Sequence, residues 1–234
     1  MLSQFGISSI YHCTPLHYAP LILRSRRLYS RHALERQGFM RKHFRRTSSE
    51  ADRRRGFDNF VFCNTHSQFP LLDSKLERGF PHYLIEIPVT QLDGRQYLLC
   101  RLNIARSRTF RVDTACEDYH DNLRLPVART DEQKVAMLKT WWRRKDCARE
   151  VLVEQQIDLT SDVRLIVFSE EDSAELTMIA RQVGFEARIV HGRLYRRCPL
   201  YAAAIKEITK KLLIHPEWRG YCLDYDNLSK RCPR

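Results

Sequence analysis

The sequence contains no run approaching eighteen uninterrupted apolar residues, and its first residues lack the basic-then-apolar order of a secretory signal. A soluble, cytoplasmic protein with no membrane partner is the expectation. Glycine and proline are scarce, eight and nine in 234 residues, and no Gly-rich turn links a strand to a helix. That absence argues against a doubly wound dinucleotide-binding fold. The eight cysteines include no C-x-x-C pair, which speaks against a disulfide framework and a ribbon-type zinc site and makes reduced thiols the default. Cys63 and His66 have ligand-like spacing, but two ligands without a second pair do not make a centre, so no metal is expected. There is no internal repeat and no low-complexity tract. Acid is also in short supply, with 28 Asp and Glu against 40 Lys and Arg, for a formal net charge of +12.

That excess of base is concentrated. Twelve basic residues between Arg24 and Arg55 face only Glu35, Glu50 and Asp52, and so carry nine of the twelve net charges. Tyr29, Phe39, His43 and Phe44 are interleaved with them. Cations mixed with rings form the surface that a nucleic-acid backbone and its unstacked bases require. Arginine dominates, and its planar fork grips phosphate bidentately. Arg41, Lys42, Arg45 and Arg46 are the candidate nucleic-acid contacts. A solvated helix face, or a surface for an acidic protein, is the competing reading.

With 43% apolar residues the chain can bury one respectable core. Leu16, Ala19 and Leu23 predict a helix after a first strand at Ile10–Thr14, with Pro20 in its first turn. Phe60–Cys63, His82–Ile87, Tyr97–Cys100, Val163–Phe168 and Ala187–Val190 read as strands. Val135, Leu138 and Trp142 predict a helix over 131–144. Ser169 is placed to cap a helix over 170–183 that Gly184 ends, and a last helix is expected over 201–214 with Pro216 just beyond. Strands outnumber clear crossover helices, which gives an α+β class.

The most informative pairing spans most of the chain. Ile10-Tyr11-His12-Cys13-Thr14 and Ala148-Arg149-Glu150-Val151-Leu152-Val153 each read as a strand with one polar group among apolar or β-branched neighbours. Polar groups so placed must meet a partner or a ligand. Four pieces then fall in the order of the DarT family of DNA ADP-ribosyltransferase toxins, which this chain resembles over about Ile10 to Val190. Ile10–Thr14 with Leu21-Ile22-Leu23 is similar to the family's Tyr-His-x-Thr strand and helix. Asp52-Arg53-Arg54-Arg55 and Phe57-Asp58-Asn59-Phe60-Val61-Phe62 resemble its arginine cluster and its Asp-Tyr-Val-Pro-Phe-Tyr-Phe strand. Arg149–Val153 looks like its Ala-Glu-Phe/Val-Leu-Val strand, and Ile166–Ser169 with the following helix matches the end. Val61 and Cys63 stand where the family has a proline and a second aromatic, and its Ser-Pro-Met-Leu turn is only partly echoed by Ser67-Gln68-Phe69-Pro70-Leu71.

The resemblance implies an ADP-ribosyltransferase-like split β-sheet core with flanking helices over residues 1–191; the tail over 192–234 extends past the resemblance and reads as a C-terminal helical extension, an extra layer, a partner contact or a grip on the strand. It also implies an NAD-dependent enzyme that moves ADP-ribose to a nucleobase in single-stranded DNA and releases nicotinamide. In that setting the protein is a toxin or phage-defence effector with an antitoxin partner. Cleaving the nicotinamide bond builds positive charge on the ribose, and Glu150 supplies the opposing carboxylate. A salt bridge to a neighbouring arginine is the bland alternative for that residue. Arg54 is the first choice for holding NAD phosphate or orienting the base, with Arg53 beside it. His12 and Thr14 are the candidates for the nicotinamide-side ribose, and Phe62 for stacking on nicotinamide. The rival functions are the same transfer onto RNA or protein, or a non-catalytic basic nucleic-acid-binding protein on the same fold.

Overall fold

A computed structural model describes residues 1–38, 53, 56–68, 70–100, 127–141 and 149–216. In chain order its elements begin with β1 (Ser9–Pro15), α1 (Ala19–Ser25), β2 (Arg27–Tyr29), α2 (Arg31–Arg36), β3 (Phe60–Asn64) and α3 (Pro70–Glu77). Next come β4 (His82–Pro88), β5 (Tyr97–Cys100), β6 (Val127–Ala128), α4 (Asp131–Trp141) and β7 (Glu150–Glu154). The last are β8 (Gln156–Asp158), β9 (Arg164–Val167), α5 (Glu170–Gln182), β10 (Arg188–His191) and α6 (Pro199–Ile214). This is the α+β class expected from the sequence. The chain forms two units, each assembled from separated stretches: Met1–Ile10 with Leu28–His66 and Pro88–Ile157, and Tyr11–Arg27 with Ser67–Ile87 and Asp158–Arg234.

The first unit is built on an antiparallel ladder in the order β3, β7, β5, β6. Asn64 and Cys100 both stand opposite Glu150, and Phe62 and Leu98 both stand opposite Leu152. Because strand side chains alternate, Glu150 and Leu152 share one face of the ladder with Asn64, Phe62, Leu98 and Cys100. The apolar part of that face closes on Phe57 and Val127. The other face carries Val61, Cys63, Leu99, Val151 and Val153, all buried. Covered on both faces, β7 reads in sequence as an unbroken apolar run rather than an alternation. Each of its aliphatic side chains contributes about 1.5–3 kcal/mol by leaving water. A capping box starts α4: Thr130 Oγ1 accepts from the Gln133 N–H, and Gln133 Oε1 accepts from the N–H groups of Arg129 and Thr130. Lys134 of α4 then lays its ammonium over the Tyr97 ring, 4.3 Å from the centroid.

In the second unit β9 pairs antiparallel with β4 and parallel with β10. Ser169 Oγ accepts from the Asp172 N–H to start α5, and Gly184, at φ 64°, ends it, as its residue type predicts. Leu72, Leu76, Leu84 and Phe168 form a core cluster joined by Tyr11, Cys13, Ile166 and Tyr195. Residues 192–214 pack into this unit. Tyr201 meets Phe80 edge-on at 4.3 Å, Cys198 N–H donates to the Gly79 carbonyl, and Arg24 of α1 donates to the carbonyls of Leu212 and Leu213. Cys13, Cys63 and Cys100 carry free thiols, whereas Cys198 is disulfide-bonded, which departs from the expectation of reduced thiols throughout. No described helix is long and apolar enough to cross a membrane.

Candidate active site

Glu150 opens β7 and is 8% exposed. Burying a carboxylate is costly unless polar neighbours or a ligand compensate it. On the ladder its two direct neighbours are Asn64 of β3 and Cys100 of β5. Burial, reinforced by the Glu150 charge, holds the Cys100 thiol well above its usual pKa, so that thiol stays protonated and inert. Phe62, half-buried, sits two residues along β3 on the same face. The ladder thus brings a carboxylate, a carboxamide and an aromatic ring onto one rigid surface. Sequence reasoning selected Glu150 and Phe62 and missed Asn64, although counting two residues on from Phe62 places Asn64 on the same face.

The residue before Glu150 is unusual. Arg149 has φ 48°, a left-handed conformation that costs a side-chain-bearing residue about 1–3 kcal/mol. Its carbonyl accepts from the Thr65 N–H at 3.2 Å, and its Nη1 meets His66 Nε2 at 2.5 Å. A guanidinium only donates, so Nε2 is the acceptor and the His66 proton is on Nδ1. Partial burial, and then the Arg149 charge, lower the His66 pKa and keep the ring neutral. Cys63 lies buried on the strand while His66 is exposed, and no third metal-ligating side chain joins them among the described residues.

Arg53 is held by acids. Its Nη2 lies 2.8 Å from both Glu35 oxygens, and its Nε is 3.8 Å from Asp58 Oδ2. Glu35 also accepts from Arg31 Nε at 2.9 Å, and is itself 10% exposed while Arg53 is 46% exposed. Arg53 therefore ties α2 to the turn before β3, and it must exchange carboxylate for phosphate to bind a nucleotide. His12 and Thr14 belong to the second unit. They alternate along β1 with Tyr11 and Cys13, whose side chains join the apolar cluster, so His12 and Thr14 occupy the opposite face. Thr14 is buried and His12 half-buried. Arg54, Arg41, Lys42, Arg45 and Arg46 lie outside the described residues, as does Trp142.

No protein-family model and no curated protein sequence matches the chain. Solved structures do. DarT of Thermus sp. 2.9 in complex with carba-NAD+ superposes with a TM-score of 0.54 at 14% identity, covering 80% of this chain and 96% of that one. The same protein in complex with ADP-ribosylated ssDNA gives 0.51 at 14% identity, covering 80% of this chain and 95% of that one. Thermosipho africanus DarTG in complex with ADP-ribose gives 0.50 at 16% identity, covering 83% of this chain and 50% of that one. At such identity the likeness lies in the course of the backbone, and it extends over four-fifths of the present chain. Taken with the ladder that carries Glu150, it shows that this chain has a DarT-like fold.

Proposed function

We propose that the protein is an NAD-dependent ADP-ribosyltransferase that transfers ADP-ribose to a nucleobase in single-stranded DNA and releases nicotinamide. The observation that carries this reading is Glu150, a buried carboxylate fixed between two strands with a carboxamide directly opposite. Breaking a nicotinamide–ribose bond leaves an oxocarbenium-like sugar, and a carboxylate held on a strand offsets its charge without having to reorganise. The same carboxylate can accept a ribose hydroxyl or take the proton leaving an incoming base. In this reading Glu150 is assigned to the ribose, Phe62 to the nicotinamide ring, and His12 and Thr14 to further ribose contacts. Arg53 and Arg54 are assigned to phosphate or to the target base. Arg41, Lys42, Arg45 and Arg46 are assigned to the strand. Residues 1–191 constitute the catalytic domain in this reading and 192–234 its C-terminal extension, in a cytoplasmic toxin or phage-defence effector countered by an antitoxin.

The test is incubation of the purified chain with NAD and separate DNA, RNA and protein acceptors, followed by mass spectrometry of every product. Single-stranded DNA is expected to gain one ADP-ribose on a base. Glu150→Gln keeps the shape and removes the charge, and is expected to lower turnover by roughly a hundredfold to a thousandfold while leaving DNA binding intact. An adduct on RNA or protein moves the acceptor and keeps the chemistry. Absence of both adduct and nicotinamide release leaves a basic binding protein.

A further inference from the structure

We propose that the edge of the second unit formed by β9 and β10 is a track for the phosphates of single-stranded DNA, gripped by Arg188 and Arg164 and, further along, by Arg193. In its choice of ligand this track rests on the transferase reading; its residues come from strand register, exposure and charge.

The register sets two arginines side by side. Arg188 of β10 stands directly opposite Arg164 of β9, and Arg164 stands opposite Glu86 of β4. Residues in register share a face, so one row across three strands carries two guanidinium groups and one carboxylate. Like charges directly opposite one another destabilise a strand pair, and this row has only Glu86 to offset both. Glu86 is 5% exposed and already engaged: Arg164 Nη2 donates to its Oε1, and the Tyr11 hydroxyl donates to the same oxygen at 3.4 Å. Arg164 is thereby anchored with its side chain 46% exposed, whereas Arg188 is exposed and meets no carboxylate among the described residues. The row keeps one positive charge that the protein does not neutralise. Strand pairing gives no reason for that charge, whereas an anion lying across both arginines does. Guanidinium groups on strands about 4.8 Å apart can share one phosphodiester, whose oxygens suit their planar forks.

The continuation of the edge carries the same chemistry. β10 is the last strand on its side and pairs with β9 alone among the described residues. The chain leaves it through Gly192, whose N–H donates to the Val167 carbonyl and where a Cβ would meet the Phe168 ring at 2.6 Å. That close approach holds the next residues against the sheet. Tyr195 packs edge-on to Phe168 at 6.5 Å, and the exposed Arg193 lies over the Tyr195 ring, 5.6 Å from its centroid. A guanidinium oriented by a ring offers a nucleotide strand both charge and a plane. Arg188 and Arg193 are five residues apart in sequence, a reach of up to about 16 Å, which suits successive phosphates of one strand rather than a single small anion. Charge on an edge strand also deters pairing with other chains. Arg188 alone would serve that purpose, and neither its opposition to Arg164 nor the ring-held Arg193 is needed for it.

The experiment uses the full chain and measures affinity for a labelled single-stranded oligonucleotide across a salt series, affinity for NAD and for inorganic pyrophosphate, nicotinamide release without DNA, and urea unfolding. Arg188→Gln and Arg193→Gln are each expected to lower oligonucleotide affinity by roughly threefold to tenfold and to reduce the salt slope by about 1, with NAD and pyrophosphate bound as in the wild type. Arg188→Glu sets an opposite charge against Arg164, so it is expected to resist urea at least as well as the wild type while binding the oligonucleotide more weakly than Arg188→Gln. Should Arg188→Glu unfold early, the two neutral variants decide. Wild-type affinity and slope in both neutral variants overturn the track, and so does an equal loss of pyrophosphate or NAD, which makes the edge a seat for a small anion. Either result with wild-type nicotinamide release leaves the transferase reading standing. A chain that releases no nicotinamide, yet loses oligonucleotide affinity in these variants, keeps the track and removes that reading. A wild type that does not bind the oligonucleotide overturns the track whatever it does to NAD.

Discussion

At the scale of single residues, Asp172 sets a pH dependence. Its side chain is 4% exposed, and Arg197 Nε lies 3.1 Å from Oδ1 but off the hydrogen-bonding axis. Burial therefore outweighs the arginine, and the carboxyl pKa is pushed up from 3.8 to about 6. A group that binds its proton more tightly folded than unfolded favours the fold fully below about pH 4. That contribution is lost as pH climbs through 6, a change of about 3 kcal/mol. Asp172→Asn does not titrate, so urea denaturation should show its stability relative to the wild type rising between pH 4 and pH 7. A constant difference would contradict the assignment. Glu150 was legible because a lone acid inside Val-Leu-Val is expensive and therefore conspicuous. Asn64 needed only a count of two from Phe62, whereas the pairing of Thr65 and His66 with Arg149 lies in a cross-strand register that sequence spacing does not carry, and a positive φ at arginine leaves no mark in composition.

Among the elements, the turn that closes α3 governs how the segment before α6 is seated. Gly79 has φ 69°, and a Cβ there would meet the Cys198 backbone nitrogen at 2.7 Å and its Cβ at 2.9 Å. Gly79→Ala combines backbone strain with a clash against main chain. We expect it to cost more than about 2 kcal/mol in denaturant unfolding and to speed proteolysis within residues 192–198. Ser169→Ala removes a cap with only local consequences, and is expected to cost about 1 kcal/mol with DNA binding unchanged. Capping residues made both ends of α5 readable, just as continuous apolar runs revealed β3, β4 and β9. The three-residue strands β2 and β8 and the two-residue β6 are too short to show a period, so the sequence did not announce them. The tail helix was legible as a helix, but its partners, Phe80 and Arg24, lie more than a hundred residues upstream.

For the molecule as a whole, a net charge of +12 is a statement about partners. If about five strand phosphates are engaged, affinity for single-stranded DNA should fall roughly a hundredfold between 50 and 200 mM salt, measured by fluorescence anisotropy. Glu150→Gln should follow the same salt slope, and a salt-insensitive affinity would remove nucleic acid from the list of ligands. The second unit draws its core from Tyr11–Arg27, Ser67–Ile87 and the stretch after Asp158, with Arg24 on the carbonyls of Leu212 and Leu213. During translation, β1 therefore leaves the ribosome long before the helix that completes its unit. At about 5–20 residues per second the wait is on the order of ten to forty seconds, and Phe80 has no Tyr201 to cover it for about six to twenty-four of them. Synthesis itself delays the finished fold, and a cell that makes this protein has that interval before the second unit can close.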